Sequence, residues 1–148
     1  LMLCQRILVP LDGSEMAEQV LSPVASVAQA VGAEVFLFQV AVDQPASMFG
    51  RDWFFLPAEG QFMEEEREAQ AYLERVAGSL REEGIQAFMD TKIGPVAEAI
   101  VAYAEANEID LIAMCTHGRT GLARWALGSV ADRALRAGGV PILLVRAR

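Results

Sequence analysis

Residues 110–129 read DLIAMCTHGRTGLARWALGS, and this stretch decides the fold class. The run DLIAMC is apolar enough for a buried strand, and a glycine-containing loop follows it. The loop leads into residues 129–137, SVADRALRA, which have the pattern of a short helix. Strands that alternate with helices in this way indicate a parallel sheet with crossover connections.

The same alternation continues toward both ends of the chain. Further strands are predicted at residues 6–11, 34–42, 86–93 and 140–145. Further helices are predicted at 14–31, where Ser14 can act as the cap, at 62–83, and from Pro95, since proline is tolerated at the first helical position. Pro23 predicts a kink in the first of these helices because it removes a backbone donor, and Val31 ends that helix's apolar stripe. Because such crossovers are right-handed, we expect an α/β open sandwich with helices on both faces, in a single domain over residues 1–148.

Composition excludes several classes of protein. The 148 residues hold 12 Lys plus Arg against 20 Asp plus Glu, so the net charge of −8 disfavours generic nucleic-acid binding. No apolar stretch reaches the ~18 residues that a membrane span needs, and the amino end shows no secretion signal. Two cysteines and one histidine offer neither a disulfide framework nor a metal site. We therefore expect a reduced, cytoplasmic protein with no membrane, nucleic-acid or metal partner.

Charge is unevenly distributed along the chain. Residues 1–115 hold 6 basic and 19 acidic side chains, whereas residues 116–148 hold 6 arginines and one aspartate, which gives them a net charge of +5. This C-terminal quarter is either an anion-attracting island or simply an uneven, solvated surface.

The loop before the last predicted helix has the chemistry of a phosphate cradle. The backbone N–H groups of Gly128, Ser129 and Val130 fall at the positive end of that helix. Gly118 permits close backbone approach, and Arg119 adds a charge that can bind phosphate oxygens in a fork. The other interpretation is a glycine-punctuated loop that Ser129 caps.

Two better-known phosphate signatures are absent from the sequence. No GxxxxGK[ST] occurs, which excludes a P-loop NTPase, and no GxGxxG follows the first strand. A Ser/His/Asp triad could use only His117, whose surroundings do not resemble a nucleophile elbow. No catalytic residue is therefore assigned, and His117 is expected to donate to a phosphate or to cap its loop.

Three segments resemble the universal stress protein family: ILVPLDGS at 7–14, IDLIAMCTHGRTGLARWALGSVADRAL at 109–135 and PILLVR at 141–146. The resemblance runs through essentially the whole chain. It implies a Rossmann-like fold with a five-stranded parallel sheet of order 3-2-1-4-5, and a homodimer. In one branch of the family it also implies that ATP, or a related ADP or AMP, binds through a Gly-x2-Gly-x9-Gly-[Ser/Thr] pattern.

Carried over position by position, the pattern's second glycine is Gly118, its third is Gly128, and Ser129 supplies the hydroxyl. Cys115 stands where the family has the first glycine, which puts the strength of binding in question. The remaining nucleotide contacts that the resemblance implies are Pro10, Leu11 and Asp12 after the first strand, Val40 at the adenine, and Met114. Asp12 falls at the family's ribose-contacting acid, although capping of a helix is its other interpretation.

The two ends of the predicted site meet at one place in the sheet. With order 3-2-1-4-5 the topological switch lies between strands 1 and 4, and ligands bind beyond the carboxyl ends of the strands there. Asp12 follows strand 1 and Cys115 ends strand 4. Cys115 is interpreted either as a redox-sensitive thiol or as small apolar filling.

We therefore expect an adenine-nucleotide-binding regulatory protein of the stress response, with any Mg²⁺ bound through the phosphates. The alternatives are a nucleotide-free scaffold of the same fold and a very slow ATPase. The homodimer is expected to pair through the apolar edge strand from Val140 to Val145, which would otherwise be left bare. The long loop 43–61 carries aromatics from Trp53 to Phe55, which either fold back onto the sheet or form a partner surface.

Overall fold

A computed structural model describes residues 4–43, 60, 62–116 and 129–148. Five strands and five helices follow along these residues, with two helices between the first two strands and one helix between each later pair of strands. The elements are β1 (Arg6–Pro10), α1 (Glu15–Glu18), α2 (Leu21–Val31), β2 (Glu34–Asp43), α3 (Met63–Glu82), β3 (Ala87–Gly94), α4 (Val96–Ala106), β4 (Leu111–Cys115), α5 (Ser129–Ala137) and β5 (Ile142–Val145).

The strands form one parallel sheet of order β3-β2-β1-β4-β5, which confirms the predicted fold class and strand order. β1 lies at the centre, with β2 on one side and β4 on the other. The chain therefore builds one half of the sheet outward from β1, crosses back over it through α4, and builds the other half. This reversal of direction places the carboxyl ends of β1 and β4 side by side.

Alternating side chains of the strands fill a separate core on each face of the sheet. Ile7 and Val9 of β1 pack into the core beneath α1, α2 and α3. Leu8, between them, packs into the core beneath α4 and α5. All three side chains are fully buried, because a central parallel strand is covered on both faces.

The single helix predicted at residues 14–31 is divided into two helices. The kink expected at Pro23 is instead a break between the two helices, and this break lies before Pro23 in the chain. α1 ends at Glu18 and α2 begins at Leu21, so that Pro23 lies in the first turn of α2. The first N–H groups of a helix have no partner within the helix, so a proline in this turn removes no hydrogen bond. Val24 N then donates to Val20 O at 3.1 Å, and the helix continues to Gly32 in the left-handed conformation.

Three smaller expectations are corrected. Val31 is 40% exposed, because it lies in the last turn of α2, beyond the apolar stripe that faces the sheet. Pro95 occupies the N-cap of α4 with extended backbone, so it precedes the first helical residue. β5 begins at Ile142, two residues later than predicted.

The aromatics at Trp53, Phe54 and Phe55 lie outside the described residues, so the two interpretations of their loop stay open. In the part of the chain that the structure does describe, none of the helices has the length and apolar character that a bilayer crossing requires.

Truncation of a core side chain tests the packing of α3 on the sheet. Leu73 is fully buried on α3, whereas Leu135 on α5 is 51% exposed. We expect Leu73→Ala to lower the free energy of unfolding by about 2–5 kcal/mol, because it leaves a cavity. Leu135→Ala, the same change on an exposed helical face, is expected to cost less than about 0.5 kcal/mol. Urea denaturation measures both, and equal losses would contradict this assignment of the core.

Candidate functional site

Strands β1 and β4 part at their carboxyl ends. Their last paired residues are Leu8 and Ile112. On the outer sides pairing continues further, to Pro10 with Phe38 in β2 and to Cys115 with Val145 in β5. The two central strands thus stop pairing where the strand order reverses, and we call the space between the chain after Pro10 and Thr116 the crevice.

A tight turn forms the wall of the crevice after β1. Leu11 is buried, and its N–H donates to Phe38 O at 2.8 Å, which ties the turn to β2. Asp12 Oδ1 accepts hydrogen bonds from Ser14 N at 2.9 Å and from Ser14 Oγ at 2.6 Å. Ser14 Oγ in turn accepts from Ala17 N at 3.1 Å, so Ser14 is the N-cap of α1, as predicted. Asp12 therefore orients the capping residue and is not itself the cap.

Cys115 ends β4 and faces away from the residues expected at the adenine. Its Sγ donates to Ala17 O at 3.6 Å, and its side chain is buried in the core beneath α1, α2 and α3. Met114 and Val40 belong instead to the opposite core, beneath α4 and α5. The Cys115 side chain thus fills space against α1. The interpretation of Cys115 as small apolar filling agrees with this placement.

The described residues on the side of the second wall are Thr116 and the first residues of α5. Thr116 is buried, and the described part of α5 spans Ser129–Ala137, with Val130 half-buried in its first turn. His117, Gly118, Arg119 and Gly128 lie outside the described residues, so their roles remain predictions.

The positive charge of the C-terminal quarter is partly neutralised in the fold. Arg133 of α5 forms an ion pair with Glu98 of α4, and Arg136 pairs with Asp132 at 3.0 Å. Arg146 and Arg148, just after β5, have no ion pair within the described ranges. Along those ranges the unpaired cations of this quarter are therefore at the carboxyl edge of the sheet, where the crevice opens.

A hydrogen bond between α3 and α1 braces the first wall. Tyr72 Oη donates to Glu18 Oε1 at 2.7 Å. Burial raises the pKa of Tyr72, and the hydrogen bond to Glu18 and the nearby carboxylates of Glu18 and Asp12 raise the pKa further. The phenol therefore stays protonated and donating throughout the physiological pH range.

Sequence reasoning missed three polar residues near the crevice: Gln19, Gln39 and Thr116. Gln39 Oε1 is buried on β2 with no hydrogen-bond partner in the described part of the chain. The only available signal was that Gln39 interrupts an apolar strand. Gln19 and Thr116 contact the chain after β5, and no local sequence pattern predicts contacts between segments so far apart.

An open parallel sheet with helices on both faces and a crevice at the reversal of strand order defines a Rossmann-like α/β protein. The chain belongs to the universal stress protein family, whose sequence model matches residues 4–146.

Relatives in this family match nearly the whole chain. Universal stress protein MJ0531 of Methanocaldococcus jannaschii is 33% identical over 148 residues, covering 97% of this chain and 83% of the relative. The solved structure of MJ0577, from the same organism, has a TM-score of 0.82 at 28% identity and covers 99% of each chain. A universal stress protein from Archaeoglobus fulgidus, solved in complex with dAMP, has a TM-score of 0.66 at 20% identity over 97% of this chain and 98% of its own.

Thiol labelling tests the placement of Cys115. Burial raises the pKa of the Cys115 thiol, and burial followed by the charge of Asp110 raises that of Cys4. Less thiolate is then present at neutral pH, and Cys115 is also shielded from reagent. In a Cys4→Ser variant we expect Cys115 to react with a disulfide reagent far more slowly in the native state than in denaturant, and faster as the pH rises. In a Cys115→Ala variant the labelling rate of half-buried Cys4 is measured alone, and we expect this rate to be the faster of the two. Equal native rates for the two thiols would contradict the buried placement.

Proposed function

We propose that this universal stress protein binds an adenine nucleotide, either ATP or its relatives ADP and AMP. It acts as a regulator of the stress response through nucleotide binding rather than through ATP hydrolysis. The observation that carries the proposal is the parting of β1 and β4 after Leu8 and Ile112. It marks the switch point, with the Asp12 carboxylate on one side and Thr116, the last described residue before the glycine-containing sequence, on the other.

The described residues at the first wall and on the sheet offer groups that suit a nucleotide. Asp12 offers a carboxylate suited to ribose hydroxyls, directly after Pro10 and Leu11. Val40 and Met114 lie on the same face of the sheet, in the carboxyl-terminal halves of β2 and β4, where they would contact the base. Cys115 is compatible with a bound nucleotide because its side chain packs against Ala17 and not toward the residues proposed to contact the base.

The phosphates would be bound at the second wall. Its proposed contacts are His117, Gly118, Arg119, Gly128, Ser129 and Val130. The N–H groups at the start of α5 lie at the positive end of a helix of nine residues, which favours an anion. Arg146 and Arg148 add positive charge at the same edge. Any Mg²⁺ would be carried on the phosphates, since no group of three His, Cys, Asp or Glu side chains among the residues described is placed to hold a metal.

The dAMP complex of the Archaeoglobus fulgidus protein supports the proposal, because it shows that a protein of this fold accommodates an adenine nucleotide. The alternatives of a nucleotide-free scaffold and of a slow ATPase are outcomes that the following measurement separates.

Asp12→Asn tests the nucleotide site. The variant keeps an oxygen that can accept from Ser14 but loses the charge offered to the ribose. We expect its affinity for ATP, measured by calorimetry, to fall about 10- to 100-fold, as for loss of a hydrogen bond to a charged group. Asp90→Asn is the matched control, because Asp90 is a partly exposed carboxylate on edge strand β3.

The wild-type protein is first heat-denatured, and the small molecules released are identified by chromatography. Adenine nucleotide in the supernatant supports the proposal. If the protein releases no nucleotide and gives no calorimetric signal up to millimolar ATP, the proposal is wrong and the nucleotide-free scaffold is the better description. Release of inorganic phosphate at a steady rate would establish the slow ATPase.

We further propose that the protein is a cytoplasmic homodimer that pairs along the edge from Val140 to Val145. β5 has β4 on one side only, and all four of its residues are half-buried, although they are apolar. A second copy would cover this edge. Two free cysteines in the described residues suit a reducing compartment.

Sedimentation tests the dimer. We expect the wild type to sediment as a dimer at micromolar concentration and Leu144→Glu, on β5, to shift it toward monomer because the pair would bury two carboxylates. Phe88→Glu is the control, since Phe88 is exposed on β3, the opposite edge. Wild-type monomers, or an equal shift by Phe88→Glu, would contradict pairing through β5. Circular dichroism of each variant establishes that it is folded.

A further inference from the structure

Two of the three residues after β5 contact the walls of the crevice: Ala147 contacts one wall and Arg148 the other. We call residues 146–148 the post-β5 segment. At the second wall, Thr116 N donates to Val145 O at 3.0 Å, and Ala147 N donates to Thr116 Oγ1 at 3.4 Å. At the first wall, Gln19 Nε2 donates to Arg148 O at 3.1 Å, and Arg148 N donates to Gln19 Oε1 at 2.9 Å. The segment therefore bridges two walls that have no strand pairing with each other at this level.

The contact at Gln19 is reciprocal. A side-chain amide carries both a donor and an acceptor, so it can satisfy the N–H and the C=O of one backbone residue, as a neighbouring strand would. Gln19 is free to do so because it lies in the break between α1 and α2. It thus fixes the end of α1, the short helix that follows the Asp12 turn.

Thr116 occupies the corresponding position on the other wall. It follows Cys115 directly and begins the stretch that leads to the proposed phosphate contacts. Its side chain is buried, so its hydroxyl is held in place while it accepts from Ala147. The loop therefore starts from a point fixed by the post-β5 segment.

We propose that Gln19 and Thr116 are positioning residues for the nucleotide: through the post-β5 segment they hold the Asp12 turn with α1, and the carboxyl end of β4 at Thr116, at a fixed separation. This inference rests on the proposed nucleotide site. A ligand that contacts both walls binds more tightly when their separation is already set, because less ordering is needed on binding. Neither residue needs to touch the nucleotide.

The test compares Gln19→Ala with Gln29→Ala. Gln29 donates from its side-chain amide to Glu83 O at 3.2 Å, at the far end of α2, so its loss removes a similar contact away from the crevice. We expect Gln19→Ala to weaken ATP binding about fivefold, as for loss of neutral hydrogen bonds, and Gln29→Ala to leave it unchanged. Thermal unfolding should shift equally little in both. In nucleotide-free protein, the amide of Arg148 should exchange faster in Gln19→Ala, because its acceptor is gone.

Thr116 provides the second arm of the test. Thr116→Val keeps the shape but removes the acceptor for Ala147, and we expect a similar loss of affinity. Thr116→Ser keeps the hydroxyl and should restore binding, which an effect of size or general stability would not do.

The possible outcomes separate the inference from the proposed function. A wild type that binds no nucleotide overturns both. Wild-type affinity retained in Gln19→Ala and Thr116→Val overturns the positioning role alone. Equal weakening by Gln29→Ala, or failure of Thr116→Ser to restore binding, also overturns it, because the effect would then be one of general stability.

Discussion

The structure depends on the burial of β1. Its central residues Ile7, Leu8 and Val9 are completely enclosed and alternate between the two cores. Neither core could form without this strand, and both flanking strands pair with it. Because the chain turns back over β1 to reach β4, the strand that anchors both cores also borders the crevice. The hydrophobic effect that drives folding therefore fixes the position of the Asp12 wall as well.

Much of this fold could be predicted from the sequence because its signals are local. Apolar runs mark the buried strands, and Gly32 and Gly84 end their helices with positive φ, at +70° and +81°. The break before Pro23 was not predictable in the same way. A missing donor is consistent with a kink inside one helix or with the first turn of a new one, and packing of α1 against β4 decides between them.

The candidate site was predictable only where its residues follow the strands. Asp12 and Cys115 could be placed at the crevice because the strand order that the family resemblance implies brings those two strand ends together. The direction of the Cys115 side chain could not, since it depends on the space beside Ala17. The contacts of Gln19 and Thr116 could not be predicted because these side chains bind the backbone of residues up to 129 positions away. Such contacts require a donor and an acceptor but no particular partner residue, so the partner leaves no trace in the sequence.

The separation of α1 from α2 has a consequence for how the protein opens. A continuous helix transmits fraying at its end into the turns beyond, whereas a helix of four residues can unfold at the cost of a few hydrogen bonds. Because α2 has its own start at Leu21, opening of α1 leaves the helix layer on the sheet intact. When the contacts that hold α1 do open, the excursion is confined to one turn, while the rest of the chain keeps its global stability.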